Sequence, residues 1–150
     1  MTVSKNPQAV PRLSEQELRD LRCLAALMIP ASEEYGVPGA DDFSIFAVIV
    51  NSLGRDTDDA RAVLRSIADF ADLPPARRDE VVAALRATGG EALAILHRVV
   101  LLCYYRDDRV MTSLDMEPRP PFPGGHVLEQ GDWTLLELVR KRPKIWRDAP

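Results

Sequence analysis

Residues 91–105, EALAILHRVVLLCYY, contain seven leucine, isoleucine and valine side chains and no glycine or proline. The apolar residues lie on nearly every side of a helical projection, which is typical of a helix buried among others. Gly89 and Gly90 immediately precede the stretch and separate it from the segment before. The sequence therefore predicts a central helix, with the remaining elements packed around it.

The segment that opens at Ser14 carries the clearest helix start. Ser14 followed by Glu17 is the pattern of a capping box, and apolar residues recur at three- and four-residue steps as far as Met28. Pro30 prevents the helix from continuing. We predict a helix from Ser14, followed by a loop over residues 31–40, which contain two glycines and a proline.

Two further helices are predicted between residues 57 and 90. Thr57 is placed to cap the first, whose apolar residues run from Ala60 to Phe70 at helical spacing. Pro75 lies near the first turn of the second, and Gly89 ends it.

Residues 43–50, FSIFAVIV, are ambiguous by pattern. The stretch is apolar on nearly every side and rich in β-branched residues, which suits a strand as well as a helix. A strand needs a partner with which to pair, and no other stretch alternates with period two. We therefore predict a buried helix after Asp41 and Asp42, with Gly54 as its stop.

Composition and charge describe an ordinary globular chain. The 150 residues are 46% hydrophobic and 28% charged, and the net charge of -4 disfavours nucleic-acid binding. The apolar runs are shorter than the ~18 residues of a membrane span, and the first residues contain neither an apolar signal core nor a twin-arginine motif. We expect an all-α protein with a flexible N-terminus over 1–12, a single compact bundle of five to six helices over 13–114, and an extended proline-rich arm with a C-terminal helix over 115–150.

The character of the sequence changes after Asp107. A short helical turn is predicted at residues 108–114. Residues 117–126, EPRPPFPGGH, exclude helix and sheet, and proline at this density favours extended polyproline II. Asp132 is then placed to cap a last helix that continues to Val139. We expect an arm that crosses a surface and finishes in a helix.

The sequence contains no recognisable catalytic or cofactor-binding set. The two histidines, His97 and His126, have no Cys, His or carboxylate at a metal-ligand spacing. The glycine pairs lack the context of a phosphate-binding loop, and the paired aspartates fall at helix ends, where capping explains them. Cys23 and Cys103 lie in apolar helical patterns, which predicts reduced core residues, with a disulfide as the alternative. We predict no catalytic, metal-binding or cofactor-binding residue in this chain.

Large, half-polar side chains concentrate in the last third of the chain, and folding alone does not account for them. Aromatic and arginine residues of this kind anchor protein interfaces. We predict a partner-binding surface made of Tyr104, Tyr105, Pro118, Arg119, Pro120, Pro121, Phe122, Pro123, Gly124, Gly125, His126, Trp133 and Trp146. The alternative is that these rings pin the arm onto the protein's own helices.

Three stretches are similar to motifs of a known family. They are LMIPA at 27–31 with PGA at 38–40, YYRDD at 104–108 leading to 111–114, and the proline–glycine arm that closes on WR at 146–147. In these stretches the chain resembles the small subunit of membrane-associated gluconate, glucose and related sugar dehydrogenases, the gluconate 2-dehydrogenase subunit 3 family. The likeness covers most of the chain.

The resemblance implies a non-catalytic accessory subunit that binds and stabilises a large FAD-dependent oxidoreductase of the glucose–methanol–choline (GMC) type, acting on a sugar or glycoside. The large subunit would hold the FAD and the catalytic histidine, and this chain would hold no cofactor. Many family members carry a twin-arginine signal and accompany their partner to the periplasm. Because no such signal is seen here, we expect a cytoplasmic complex. The alternative function is an independent helical adaptor, or a module that binds a small ligand between its own helices.

Overall fold

A computed structural model of the protein describes residues 12–120, 122–125, 131–144 and 147, so that most of the expected flexible N-terminus lies outside it. Over the described residues the chain forms no β-strand, and Ser32 and Val37 make a single isolated bridge. The predicted all-α class is confirmed. The α-helices in these ranges are α1 (Glu15–Met28), α2 (Phe43–Ser52), α3 (Thr57–Ser66), α4 (Pro75–Thr88), α5 (Glu91–Tyr104), α6 (Asp108–Ser113) and α7 (Glu137–Arg140). Short 3-10 helices lie at Gly54–Asp56, Phe70–Asp72 and Trp133–Leu136.

The chain divides into two compact units, one ending at Pro118 and the other beginning at Arg119. The first unit contains α1 to α6. The second contains the proline-rich arm, the last 3-10 helix and α7.

Helix α5 is the central helix of the first unit, as predicted, and packs against both α2 and α3. Its buried face includes Leu93, Leu96 and Val100. Each side chain of this size that is fully buried stabilises the fold by about 1.5–3 kcal/mol. Leu101 and Leu102 on the same helix remain exposed, so the helix is covered on one side only.

The predicted capping box of α1 is present. Ser14 Oγ accepts a hydrogen bond from the Glu17 N–H at 3.2 Å, and Glu17 Oε2 accepts one from the Ser14 N–H at 2.7 Å. The second bond holds the pKa of Glu17 below its ordinary value. The helix ends at Met28, two residues before Pro30, because proline cannot continue the hydrogen-bond ladder.

Residues 43–52 form a helix, which confirms helix over strand for the ambiguous stretch. Asp42 Oδ1 caps α2 by accepting hydrogen bonds from the N–H groups of Ser44 and Ile45, at 3.1 and 3.4 Å. Only Ile45 and Ile49 of this helix are buried, whereas Phe43 is 81% exposed. The prediction of a buried helix is therefore correct for one face and wrong for the other.

Thr57 does not cap α3, contrary to the prediction. It is the first residue of the helix, it is buried, and its hydroxyl donates to the Gly54 carbonyl at 2.7 Å. The Thr57 N–H donates to the same carbonyl, so the preceding 3-10 turn takes the place of a side-chain cap. The predicted apolar face is buried at Ala60, Val63 and Phe70.

Helix α4 begins and ends where the sequence predicts, but its apolar side chains are only partly buried. It begins at Pro75 and ends at Thr88, before Gly89, whose φ of 62° is a conformation that favours glycine. No residue of α4 is fully buried, and its apolar side chains Val81 and Leu85 pack half-buried against the core. Helix α4 therefore lies at the edge of the first unit.

In the second unit, Asp132 caps the last helical segment as predicted, because its Oδ1 accepts the Thr134 N–H at 3.0 Å. The segment itself is less regular than predicted. Four residues of 3-10 helix, Trp133–Leu136, continue as four residues of α-helix, Glu137–Arg140.

The arm turns where extended polyproline II was expected. Residues 122–124 form a turn, and Arg119 Nη2 donates to the Gly125 carbonyl at 2.8 Å. Polyproline II would place residues 119 and 125 about 19 Å apart, farther than an arginine side chain reaches. Gly125, with a φ of 64°, supplies the backbone conformation that the turn requires. The arm therefore folds back on itself over this stretch.

Candidate partner-binding surface

The predicted partner-binding residues fall in both units. Tyr104, Tyr105 and Pro118 belong to the first unit. The members described in the second unit are Arg119, Pro120, Phe122, Pro123, Gly124, Gly125 and Trp133. Pro121, His126 and Trp146 lie outside the described residues.

The second unit presents large apolar side chains to solvent. Phe122 is 85% exposed and Trp133 is 67% exposed. Leu135 and Leu138, on the same helical segment as Trp133, are also exposed. Trp133, Leu135 and Leu138 lie on one short helical segment, and large apolar residues exposed close together are typical of a site that another molecule covers.

Arg119 gives the arm its shape. Its guanidinium donates to the carbonyl of Gly125 and lies directly against Gly124, where an added Cβ would be 3.0 Å from Nη1. Phe122 lies within the turn that this contact closes. Arg119 therefore acts on the arm itself, and Phe122 is the side chain that the turn displays.

Tyr104 is not available to a partner, and the prediction for this residue is corrected. Its side chain is 4% exposed, and its hydroxyl donates to the Pro38 carbonyl at 3.0 Å. Burial raises the pKa of the Tyr104 hydroxyl. The ring packs edge-to-face against Tyr105, with centroids 5.3 Å apart, and Tyr105 is 52% exposed. Tyr104 thus supports Tyr105, which is the exposed member of the pair.

Sequence reasoning missed the role of Arg109. Its Nη2 donates to Asp42 Oδ1 at 2.8 Å, and its Nε donates to Asp107 Oδ1 at 2.9 Å. Asp42 caps α2 and Asp107 caps α6, so one guanidinium holds the starts of both helices. Hydrogen bonds from Arg109 lower the pKa of both carboxyl groups, and those bonds raise the pKa of Arg109. The two caps are recognisable in the sequence, but their shared partner is not.

The Arg109 network places two exposed rings at the same end of the first unit. Phe43 directly follows Asp42, and Tyr105 lies two residues before Asp107. Beside the network is an open cleft of about 460 Å³ whose lining includes Val48. Phe43, Val48 and Tyr105 are exposed apolar side chains near this network, and we call these three residues the ring surface.

The described part of the chain has neither a cluster of metal ligands nor a single helix that could span a membrane. It holds no group of three or more His, Cys, Asp or Glu side chains placed to bind a metal ion. No single described helix has the length and hydropathy to cross a bilayer. Helices α4 and α5 meet these two criteria only when taken together, and the chain bends by 114° between them. Cys23 and Cys103 are free thiols, as predicted, and burial raises the pKa of Cys23.

In comparisons with known proteins, the chain matches no family model, no curated protein and no solved structure.

Proposed function

We propose that this chain is a non-catalytic accessory subunit that binds and stabilises a large FAD-dependent oxidoreductase of the GMC type. The observation that carries the proposal is the exposure of Phe122 and Trp133 in the second unit, at 85% and 67%. Aromatic side chains are the residues that most often supply binding energy at protein interfaces.

The length of the last helical segment supports a role in binding. The 3-10 helix and α7 contain four residues each, and isolated helices shorter than about 12–15 residues are marginal in water. The segment exposes Leu135, Leu138 and Val139 besides Trp133. A partner that covers these side chains would stabilise both the helix and the complex.

The ring surface extends the same chemistry to the first unit. Phe43 and Tyr105 are exposed. Arg109 fixes the backbone near both, and Tyr104 packs against the Tyr105 ring. Rings that are already ordered lose little conformational entropy on binding. The Tyr105 ring of the ring surface is therefore already ordered before a partner binds.

We infer the class of partner from the motif resemblance in the first and last thirds of the chain. A GMC-type large subunit would supply the FAD, the catalytic histidine and the sugar or glycoside site. This chain would supply apolar surface, and binding to the folded large subunit would stabilise it by mass action.

One space between the helices is too small for the ligand of the alternative function, a module that binds a small ligand between its own helices. This space lies between α1, α4 and α5, next to Leu24, Val82 and His97, is partly open and has a volume of about 10 Å³. That volume accommodates roughly one water molecule. A metabolite pocket is typically about 300–1,000 Å³.

Expression of the candidate large subunit with and without this chain tests the proposal. We expect higher soluble yield, flavin content and activity when the chain is present. Trp133→Ser and Phe122→Ser are expected to reduce this increase in soluble yield, flavin content and activity. Tyr35→Ser is the matched control, because Tyr35 is 67% exposed like Trp133 but lies in the loop before α2, outside both apolar surfaces. Equal yield, flavin content and activity with and without the chain would rule the proposal out.

A further inference from the structure

Three arginines meet at an open cleft of the first unit, whose lining contains none of the residues of the ring surface. Arg19 and Arg22 come from α1 and Arg78 comes from α4. The cleft measures about 370 Å³, and its remaining lining is Cys23, Ala26 and Asp41. Positions 19, 22, 23 and 26 share one face of α1, because residues three and four apart are neighbours on a helix.

None of these three arginines forms an ion pair within the ranges that the structure describes. Arg19 Nη2 donates to the side-chain oxygen of Gln16, and Arg22 Nε donates to the Asp41 carbonyl at 3.0 Å. Arg78 Nη2 donates to the Ala71 carbonyl at 2.5 Å. Every one of these acceptors is neutral. Arg22 also lies over the Phe46 ring, 5.8 Å from its centroid. Each guanidinium has five N–H donors in all, and each of the three uses one of them in these hydrogen bonds.

In the described part of the chain, Arg78 is the one of these three arginines that has a buried donor without a hydrogen-bond acceptor. Its Nε is buried and has no hydrogen-bond partner among the described residues. A guanidinium that has lost water without gaining enough acceptors is destabilising by about 1–3 kcal/mol per unpaired donor. An anion in the cleft would offset that cost by interacting with the charge of the same group.

The balance of charge at the cleft is positive although the whole chain carries a net charge of -4. The lining contains three arginines and one carboxylate, that of Asp41. Asp20 lies on the adjoining turn of α1, but it is 2% exposed and accepts the Ala71 N–H at 2.8 Å. With both carboxylates counted, the three arginines leave an excess of one positive charge at the cleft.

We propose that this cleft binds the phosphate group of a small molecule, either inorganic phosphate or a phosphate monoester. A phosphate is anionic at pH 7 and has three or more acceptor oxygens, which suits the positive cleft and its three separate guanidinium groups. A carboxylate offers one negative charge and two oxygens in a plane, and satisfies fewer of these donors. The site is independent of the proposed partner-binding function.

Titration of the full chain with inorganic phosphate, followed by backbone amide NMR at constant ionic strength in chloride, tests the proposal. We expect saturable shifts confined to the amides near residues 19–26 and 78. Arg19→Gln is expected to weaken binding about tenfold, which corresponds to about 1.4 kcal/mol. Arg19 is exposed and its only described partner is Gln16, so this variant is expected to fold normally.

Arg77→Gln is the matched control, because Arg77 is exposed, adjacent to Arg78 and paired with Glu80. It is expected to bind phosphate like the unmodified chain. Shifts that do not saturate, or equal weakening by Arg19→Gln and Arg77→Gln, would overturn the proposal. Acetate that binds as tightly as phosphate would overturn the phosphate assignment. Tighter binding of glycerol phosphate than of inorganic phosphate would assign the site to a monoester, and equal binding would assign it to the inorganic ion.

Discussion

Asp20 Oδ1 accepts a hydrogen bond from the Ala71 N–H at 2.8 Å and so joins α1 to the 3-10 turn 51 residues later. Asp20 is 2% exposed, and aspartate is almost never buried to this extent unless it has a partner. Gln16 Nε2 donates to the same oxygen at 3.3 Å. The carboxylate therefore satisfies a backbone donor that the interior would otherwise leave unpaired.

Replacing Asp20 removes this acceptor. Asp20→Ala is expected to lower the free energy of unfolding by about 2 kcal/mol, because it leaves the Ala71 N–H without a partner. Asp20→Asn keeps an oxygen at the same place and is expected to cost less than about 1 kcal/mol. Urea denaturation measures both values, and equal losses in the two variants would show that the hydrogen bond is not the source of the stability.

Loss of the Tyr104 hydroxyl is expected to loosen the loop between α1 and α2. Tyr104→Phe removes the hydrogen bond to the Pro38 carbonyl and is expected to cost about 1 kcal/mol of stability. Tyr105→Phe is the control, since Tyr105 is half exposed, and thermal unfolding is expected to be unchanged by it. Amide hydrogen exchange over residues 31–40 should rise only in Tyr104→Phe, and no rise there would contradict the assigned contact.

The Arg109 network is expected to make stability depend on acidic pH. The pKa values of Asp42 and Asp107 are lowered in the folded state from their usual 3.8, so their stabilising effect is present above that pH and is lost as the pH falls below it. Arg109→Gln removes the shared partner. Because Arg109 is 48% exposed, solvent screening limits the expected loss at pH 7 to about 1 kcal/mol.

The difference in stability between Arg109→Gln and the unmodified chain should shrink as the pH falls from 5 towards 2, because the unfolded chain, with the higher carboxyl pKa values, takes up protons first. Arg106→Gln is the control, since Arg106 lines the same cleft and forms no ion pair among the described residues. A constant difference across this pH range in Arg109→Gln would contradict the network's role.

The sequence was most informative where local chemistry decides the structure. The capping box at Ser14, the cap at Asp132 and the stop at Gly89 depend on neighbouring residues and are present as predicted. Burial was harder to predict, because it depends on which face of a helix meets another element. The apolar run of α2 gave no sign that Phe43 would be exposed.

Long-range partners were not predictable from one sequence. Asp42 and Arg109 are 67 residues apart, and Tyr104 and Pro38 are 66 apart. A tyrosine at the end of an apolar helix is compatible with an interface as well as with a core. For Tyr104, the hydrogen bond to the Pro38 carbonyl shows that the side chain belongs to the core. The three arginines of the cleft likewise come from α1 and α4, which are far apart in sequence, so one sequence does not show that they lie close together.

The central claim, that this chain is the accessory subunit of a flavoprotein, is tested most directly by purifying the tagged chain from the cells that produce it and measuring what accompanies it. We predict one large polypeptide at a fixed molar ratio, with the absorbance of bound FAD, and loss of that polypeptide when Trp133 and Phe122 are replaced by serine. A chain that purifies alone, stays monodisperse and carries no flavin would contradict the claim.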